Sequence, residues 1–340
     1  MSNEEIGIAI VGAGWAGKMS ANAYSKVPNV KVKVIVDVIE EAAKSLAEVY
    51  MCEWSTHYDE ALEKDDVHVV DICSIPSTHA TLALKAAEAR KHICVQKPFA
   101  LNLEDCKNVI DAANRNNVQL IMQHMFRFAE GTVKSNELIK NDRIGEPEVT
   151  FYQQVTTPRV IGKPWLTSPE KSGEQLIEFN VHGYDLLRWF HGEVNTVYAE
   201  TALLHPLFMK TKLKADNSVV VLKFRNGSLG IVEGSWGLGE NTLAPQSIVQ
   251  TIGTKGMIDI VYEARPRTEY TWRLFQPDKP IETQRSSSHG WIERATYFIE
   301  CVREGKTVSR STGLDGLKSL EIGLAAVKSA GEHTPISLPL

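Results

Sequence analysis

Ile6-Gly7-Ile8-Ala9-Ile10-Val11-Gly12-Ala13-Gly14-Trp15-Ala16-Gly17 is a short apolar run that leads into the pattern Gly-x-Gly-x-x-Gly. The run predicts a buried strand over Ile6–Val11, and the residues after the last glycine predict a helix to about Lys26. Glycines at this junction let the backbone turn tightly and come close to a pyrophosphate. The helix N-terminus behind them offers free N–H groups and a partial positive charge. Asp37 ends the next apolar run, Val32–Val36, twenty residues after Gly17, where a ribose-binding acid belongs. A carboxylate there accepts hydrogen bonds from both ribose hydroxyls and repels a 2′-phosphate, and Val38 and Ile39 add no cation. The cofactor expected is therefore NAD rather than NADP, held by Gly12, Gly14, Trp15, Ala16, Gly17 and Asp37.

The same texture continues outward. Val69–Cys73, Ile93–Val95 and Gln119–Met122 are short and β-branched, as central parallel strands must be when both faces are covered. Between them lie amphipathic stretches; Leu103, Cys106, Val109, Ile110 and Ala113 recur at spacings of three and four. The alternation predicts an α/β fold, a doubly wound parallel sheet over residues 1–125. Residues 126–340 read differently, as an α+β domain on a large, mostly antiparallel open sheet. A helical stretch, Arg127–Asn141, precedes strand patterns at Glu148–Thr156, Thr196–Leu204, Ser218–Phe224, Ser228–Trp236 and Ser247–Ile252. Turn signals at 225–228 and 253–256 predict hairpins, and Trp291–Arg303 and Leu314–Ala330 predict closing helices.

Composition narrows the function. With 340 residues, 43% hydrophobic and 23% charged, the chain is expected to form two globular domains. A formal charge of −5 and the lack of any basic run argue against a nucleic-acid or acidic-membrane partner. The five cysteines form no Cys-x-x-Cys pair and are read as reduced core residues. No apolar run reaches 18 residues and no signal-peptide pattern occurs, so a cytoplasmic protein is expected.

Two segments carry the chemistry. One runs through Ser74-Ile75-Pro76-Ser77-Thr78-His79 and reaches Val95-Gln96-Lys97-Pro98. The other is Glu178-Phe179-Asn180-Val181-His182-Gly183-Tyr184-Asp185-Leu186-Leu187-Arg188-Trp189. Lys-Pro at a strand end together with acid-x-x-x-His-x-x-Asp resembles the glucose-fructose oxidoreductase and inositol dehydrogenase superfamily, Gfo/Idh/MocA. Arg127-Phe128 and Gly313–Ala330 extend the resemblance over nearly the whole chain. It implies that Lys97 is the lysine of a Glu-Lys-Pro motif, His182 the catalytic histidine and Glu178 the acid four places before it. This sequence departs from the pattern at Gln96, usually Glu, at Glu178, commonly Asp, and at Asn180, frequently Gly.

The residues suit those roles. Oxidising an alcohol by hydride transfer requires removal of the hydroxyl proton, and a histidine titrating near neutrality suits that task. Lys97 can stabilise the developing alkoxide, and a carboxylate at Glu178 can orient the imidazole. On one continuous helix, positions 178, 182, 185 and 189 share a face; Asn180 is also a candidate N-cap, which places Glu178 outside the helix. Ser74, Pro76, His79, Gln96 and Lys97 are assigned to the cofactor wall. Arg127, Tyr152, Arg159, Trp165 and Asp185 join Lys97, Glu178 and His182 as substrate contacts, and His289 is a weaker candidate. No metal site is expected.

The function expected is NAD-dependent oxidation of a secondary hydroxyl of a sugar, sugar derivative or cyclitol. An NAD-using glycosidase and a non-catalytic NAD(H)-sensing regulator are the competing readings. The small-molecule substrate stands without a nucleic-acid or membrane partner. A homo-oligomer, dimer or tetramer, is expected through the open sheet, whose second face needs cover.

Overall fold

The computed structural model describes residues 5–157, 163–239, 247–262 and 269–340. The chain divides into two compact units, Met1–Phe128 with Gly290–Leu317 and Ala129–His289 with Lys318–Leu340. The chain passes between them after Phe128, after His289 and after Leu317, whereas the sequence reading places a single passage at 125/126.

The first unit is built on six parallel strands: β1 (Ile6–Val11), β2 (Val30–Val36), β3 (Glu53–Ser55), β4 (Val69–Ile72), β5 (His92–Val95) and β6 (Leu120–Met122). Their order is β3-β2-β1-β4-β5-β6, so the direction of winding reverses between β1 and β4. Helices α1 (Trp15–Tyr24), α2 (Glu40–Tyr50), α3 (Tyr58–Leu62), α4 (Pro76–Glu88) and α5 (Leu103–Arg115) connect the strands. β1 and β4 are buried along their whole length, which explains why their sequence is a continuous apolar run. β3, absent from the sequence reading, is an edge strand of three residues with only Ser55 buried. It has no apolar run to betray it.

The second unit begins with α6 (Glu130–Lys140), β7 (Pro147–Val155), α7 (Pro169–Ser172), α8 (Glu174–Glu178) and α9 (Val181–His191). It continues with β8 (Val194–Ala202), β9 (Asn217–Phe224), β10 (Leu229–Ser235), β11 (Ser247–Gly253), β12 (Gly256–Tyr262), β13 (Tyr270–Phe275) and β14 (Glu282–Ser286). After α10 (Trp291–Glu304) and α11 (Gly313–Glu332), β15 (Ile336–Ser337) closes the edge of a nine-stranded sheet. The order is β14-β13-β12-β11-β7-β10-β9-β8-β15, antiparallel except for β7 and β10, with hairpins at both predicted turns.

Alternation along these strands separates two faces. Tyr152, Val220, Leu222, Val232, Val249, Ile258 and Trp272 point to the covered face. There α9 lies close against the sheet: a Cβ on Gly183 would stand 2.6 Å from Tyr152 and 2.8 Å from Val232. Phe151, Val219 and Leu229 point the other way and are exposed.

The α10 helix belongs to the first unit for a physical reason. Its apolar stripe, Trp291, Ala295, Phe298, Ile299 and Cys301, joins Ile8, Ile10, Ala21 and Tyr24 in one core cluster. Sequence periodicity predicts the helix and its amphipathic face but not which sheet that face covers.

His191, at the end of α9, makes a testable contribution to stability. Its Nε2 lies 2.7 Å from Thr150 Oγ1 and its Nδ1 2.8 Å from Ser228 Oγ, with the ring stacked on Phe224. Burial pushes its pKa down to about 4. The neutral form is therefore favoured on folding, so the stabilisation is complete above the unfolded value and is lost as pH falls from about 6.5. Between neutrality and pH 4 the loss is expected to reach about 3 kcal/mol. Denaturant titrations at several pH values should show a shallower acid loss for His191→Gln; equal slopes in the two proteins would refute the assignment.

Candidate active site

The carboxyl ends of the first unit's strands gather the predicted cofactor residues. Each glycine of the loop has a distinct role. Gly12 has φ +104°, and a Cβ there would lie 2.6 Å from the Cys73 carbonyl oxygen. A Cβ on Gly17 would overlap the Gly12 carbonyl oxygen, so this glycine lets α1 approach the loop. Among the described residues nothing stands within 4 Å of a Cβ built on Gly14, so that side of the loop is open. Gly14 is the N-cap of α1, and no acidic residue sits in the first turn to offset the helix's positive end. Trp15 is 62% exposed and meets Trp291 edge-on at 5.5 Å, while Ala16 follows half-buried. Asp37 accepts from the backbone N–H of Ala13 at 2.7 Å and of Ile39 at 2.9 Å, so its carboxylate is held against the glycine loop.

The next two loops are tied to each other. His79, fully buried, places Nδ1 2.7 Å from the Pro98 carbonyl and Nε2 3.1 Å from the Ser74 carbonyl. Pro76 starts α4, and the Ser74 hydroxyl pairs with Thr78 at 2.8 Å. Lys97 lies two residues beyond the end of β5, is half-buried and precedes Pro98 through a cis peptide bond. Its backbone N–H donates to Gln96 Oε1 at 2.9 Å. Arg127 is buried and pairs with Asp315 at 3.2 Å within the same unit.

In the second unit Glu178 and His182 do not share one helix, which corrects the continuous-helix reading. Glu178 ends α8 and His182 lies in the first turn of α9. Phe179 and Asn180 both donate their N–H to the Gln175 carbonyl, and Gly183 and Tyr184 then take up the Asn180 carbonyl. Asn180 is the N-cap of α9 by position, but its side chain makes no cap. Instead Asn180 Nδ2 donates to Ser218 Oγ at 2.8 Å, and that hydroxyl donates to Gln175 Oε1 at 2.7 Å. The corner is thus pinned to β9 beside Gly234, where any Cβ would collide with Asn180 and Gln175. His182 and Glu178 are half-buried and Asp185 is buried. Trp189 stacks on Phe190 at 6.0 Å.

The remaining candidates are spread over this unit. Tyr152 is 1% exposed, donates to Gln154 Oε1 at 3.0 Å, and is held protonated by burial, which raises its pKa. Trp165 packs on a cluster of Leu166, Phe179, Phe208, Leu213 and Trp236. His289 has its ring 6.4 Å from those of Tyr262 and Tyr270. Arg159 lies outside the described residues. Among the described residues no group of three His, Cys, Asp or Glu side chains could hold a metal, and no helix is long and apolar enough to cross a membrane. Sequence reasoning missed Gln175 and Ser218, which position the corner, and Gln123. A polar residue directly after β6 is the one signal that could have found Gln123.

Residues 6–124 match the Gfo/Idh/MocA family model described as an oxidoreductase family with an NAD-binding Rossmann fold, and residues 136–338 match its C-terminal α/β domain. The chain belongs to the Gfo/Idh/MocA family. Similar proteins include myo-inositol 2-dehydrogenase of Thermotoga maritima, 29% identical over 97% of this chain and 98% of that protein. The NAD(+)-dependent scyllo-inositol 2-dehydrogenase of Bacillus subtilis is 28% identical over 98% of this chain and 96% of its own length. Levoglucosan dehydrogenase, solved with NADH and levoglucosan, shares the fold at TM-score 0.86, with 23% identity over 99% of this chain and all of that chain, 100%. As a Gfo/Idh/MocA oxidoreductase, the protein uses NAD. The open side of Gly14, the uncapped positive end of α1 and the fixed Asp37 carboxylate fit that dinucleotide.

Proposed function

We propose that the protein oxidises a secondary hydroxyl of a sugar, sugar derivative or cyclitol, with His182 as acid and base and Lys97 stabilising the alkoxide. NAD, when bound, accepts the hydride. The observation that carries this reading is the position of Lys97 two residues after the end of β5, on the same edge of the sheet as Gly12, Asp37 and Ser74. Ligands of open α/β sheets bind outside the carboxyl ends of their strands. His182 supplies a group that can take the hydroxyl proton, Glu178 a carboxylate able to orient the imidazole, and Lys97 a cation for the developing negative charge. Asp185, Trp165 and Tyr152, together with Arg127 and Arg159, are the proposed remaining substrate contacts.

Curated relatives act on inositols, levoglucosan and D-apiose by their names, which supports polyhydroxylated rings as the substrate class. A panel of such polyols and sugars, assayed for NADH formation and repeated with NADP, tests the proposal. Net NADH from at least one member is expected. Binding of NADH with no reduction of NAD across the panel would overturn it.

A homo-oligomer joined through the uncovered face of the nine-stranded sheet completes the proposal, supported by exposed Phe151, Val219 and Leu229 on neighbouring strands. Light scattering should report a dimer or tetramer; a monomer at micromolar concentration would refute it. Five free cysteines suit a reducing compartment, the cytoplasm.

A further inference from the structure

Asp71 and Arg294 form an ion pair at 3.4 Å, with both side chains wholly removed from solvent. Arg294 is held by Tyr24 Oη at 3.1 Å and Ser20 Oγ at 3.0 Å, and its guanidinium lies over the Tyr24 ring. Ser20 Oγ donates to Asp71 Oδ2 at 2.8 Å, and Cys73 Sγ lies 3.2 Å from Oδ1. Gln123 Nε2 also donates to Asp71 Oδ1. Gln96 Nε2 donates to Gln123 Oε1 at 3.2 Å, and Gln96 Oε1 accepts the Lys97 N–H at 2.9 Å.

We infer that Gln123 and Gln96 form a hydrogen-bond chain of fixed direction, running from the buried Asp71–Arg294 pair to the Lys97 peptide, and that this chain requires an amide at position 96. Both glutamines are positioning residues for Lys97, so the functional part of the inference rests on the proposed role of that lysine. The direction follows from donor and acceptor inventories. An ion-paired carboxylate only accepts, so Gln123 must turn its NH2 toward Asp71 and its carbonyl toward Gln96. Gln96 must then turn its NH2 toward Gln123, which leaves its own carbonyl for the Lys97 N–H. A carboxylate at 96 would set oxygen against oxygen at Gln123, and rotating Gln123 would move the same clash to Asp71. In so buried a place, neither mismatch has water to relieve it.

A protonated carboxylic acid would close the chain and an ionised one would not. This contrast separates positioning from simple space-filling, because Glu and Gln have nearly the same shape. Gln96→Glu and Gln123→Glu should each be compared with the wild type across pH, at saturating NAD and substrate. The ratio of variant to wild-type kcat is expected to stay within about threefold near pH 6 and to fall at least about tenfold by pH 8.5. For Gln123→Glu, NADH affinity, read by fluorescence, should change less than about threefold. In both variants, amide hydrogen exchange of the peptide spanning Gln96–Phe99 should accelerate relative to wild type at the same alkaline pH.

A flat ratio across pH in both variants, or unchanged exchange, would overturn the inference. If one variant fails to fold, the other and its exchange profile still decide it. Should Lys97→Ala keep wild-type turnover, the role of Lys97 falls, whereas the exchange result continues to judge the chain itself.

Discussion

Lys97→Ala and His182→Ala are each expected to lower turnover at least about a hundredfold, or nearly 3 kcal/mol of barrier, while NADH still binds. The two losses have different origins. Without Lys97, negative charge growing on the substrate oxygen meets no ammonium. Without His182, the hydroxyl proton loses its proposed acceptor as the hydride departs. NADH binding should survive because the contacts proposed for it, at the glycine loop and Asp37, involve neither side chain, and the Ala13 and Ile39 N–H groups hold Asp37 in place. Folding should survive as well. Lys97 is half-buried at a strand end, and His182 lies in a corner fixed by Asn180 and Ser218. Stopped-flow turnover and fluorescence titration of NADH measure the two properties separately. Full activity in both variants would remove the mechanism proposed.

Asp37→Ala is expected to raise KM for NAD about thirtyfold with little change for NADP, erasing most of the preference between them. Two charge-assisted hydrogen bonds to ribose hydroxyls account for an effect of that size, at roughly 2 kcal/mol in sum. Adding Val38→Arg should turn the preference toward NADP, because Val38, next to Asp37 in the chain, is 89% exposed and has room for a longer cation. Values of kcat/KM for both dinucleotides give the answer. Retention of the wild-type preference by Asp37→Ala would show that discrimination lies elsewhere.

The clarity of each element in the sequence tracks its burial. β1 and β4 are covered on both faces and announce themselves as β-branched runs. The hairpins β9–β10 and β11–β12 carry Asn226-Gly227 and Gly253 to Gly256 at their turns, where turn chemistry demands them. By contrast β14, Glu282–Ser286, is a polar edge strand with no buried residue, and its pattern does not stand out from a loop. The site divides the same way. Gly12, Gly14, Gly17 and Asp37, the proposed dinucleotide contacts, are placed by local backbone geometry, so spacing alone points to them. The break between α8 and α9 was harder to read, because Asn180 is drawn away from capping by Ser218, 38 positions later.

Sequence alone determined the doubly wound N-terminal sheet, the mostly antiparallel second sheet and the glycine loop between β1 and α1. Each of these rests on periodicity or on contacts between near neighbours in the chain. Tertiary structure decided that α10 packs into the first unit, that Asn180 turns to the sheet, and that Gln96 is bound into a chain ending on Arg294. Those outcomes depend on partners as far apart as Asp71 and Arg294, 223 positions apart. Which buried donor meets which acceptor at such separations is settled only when the chain is packed, because burial without a partner costs more than any local preference provides.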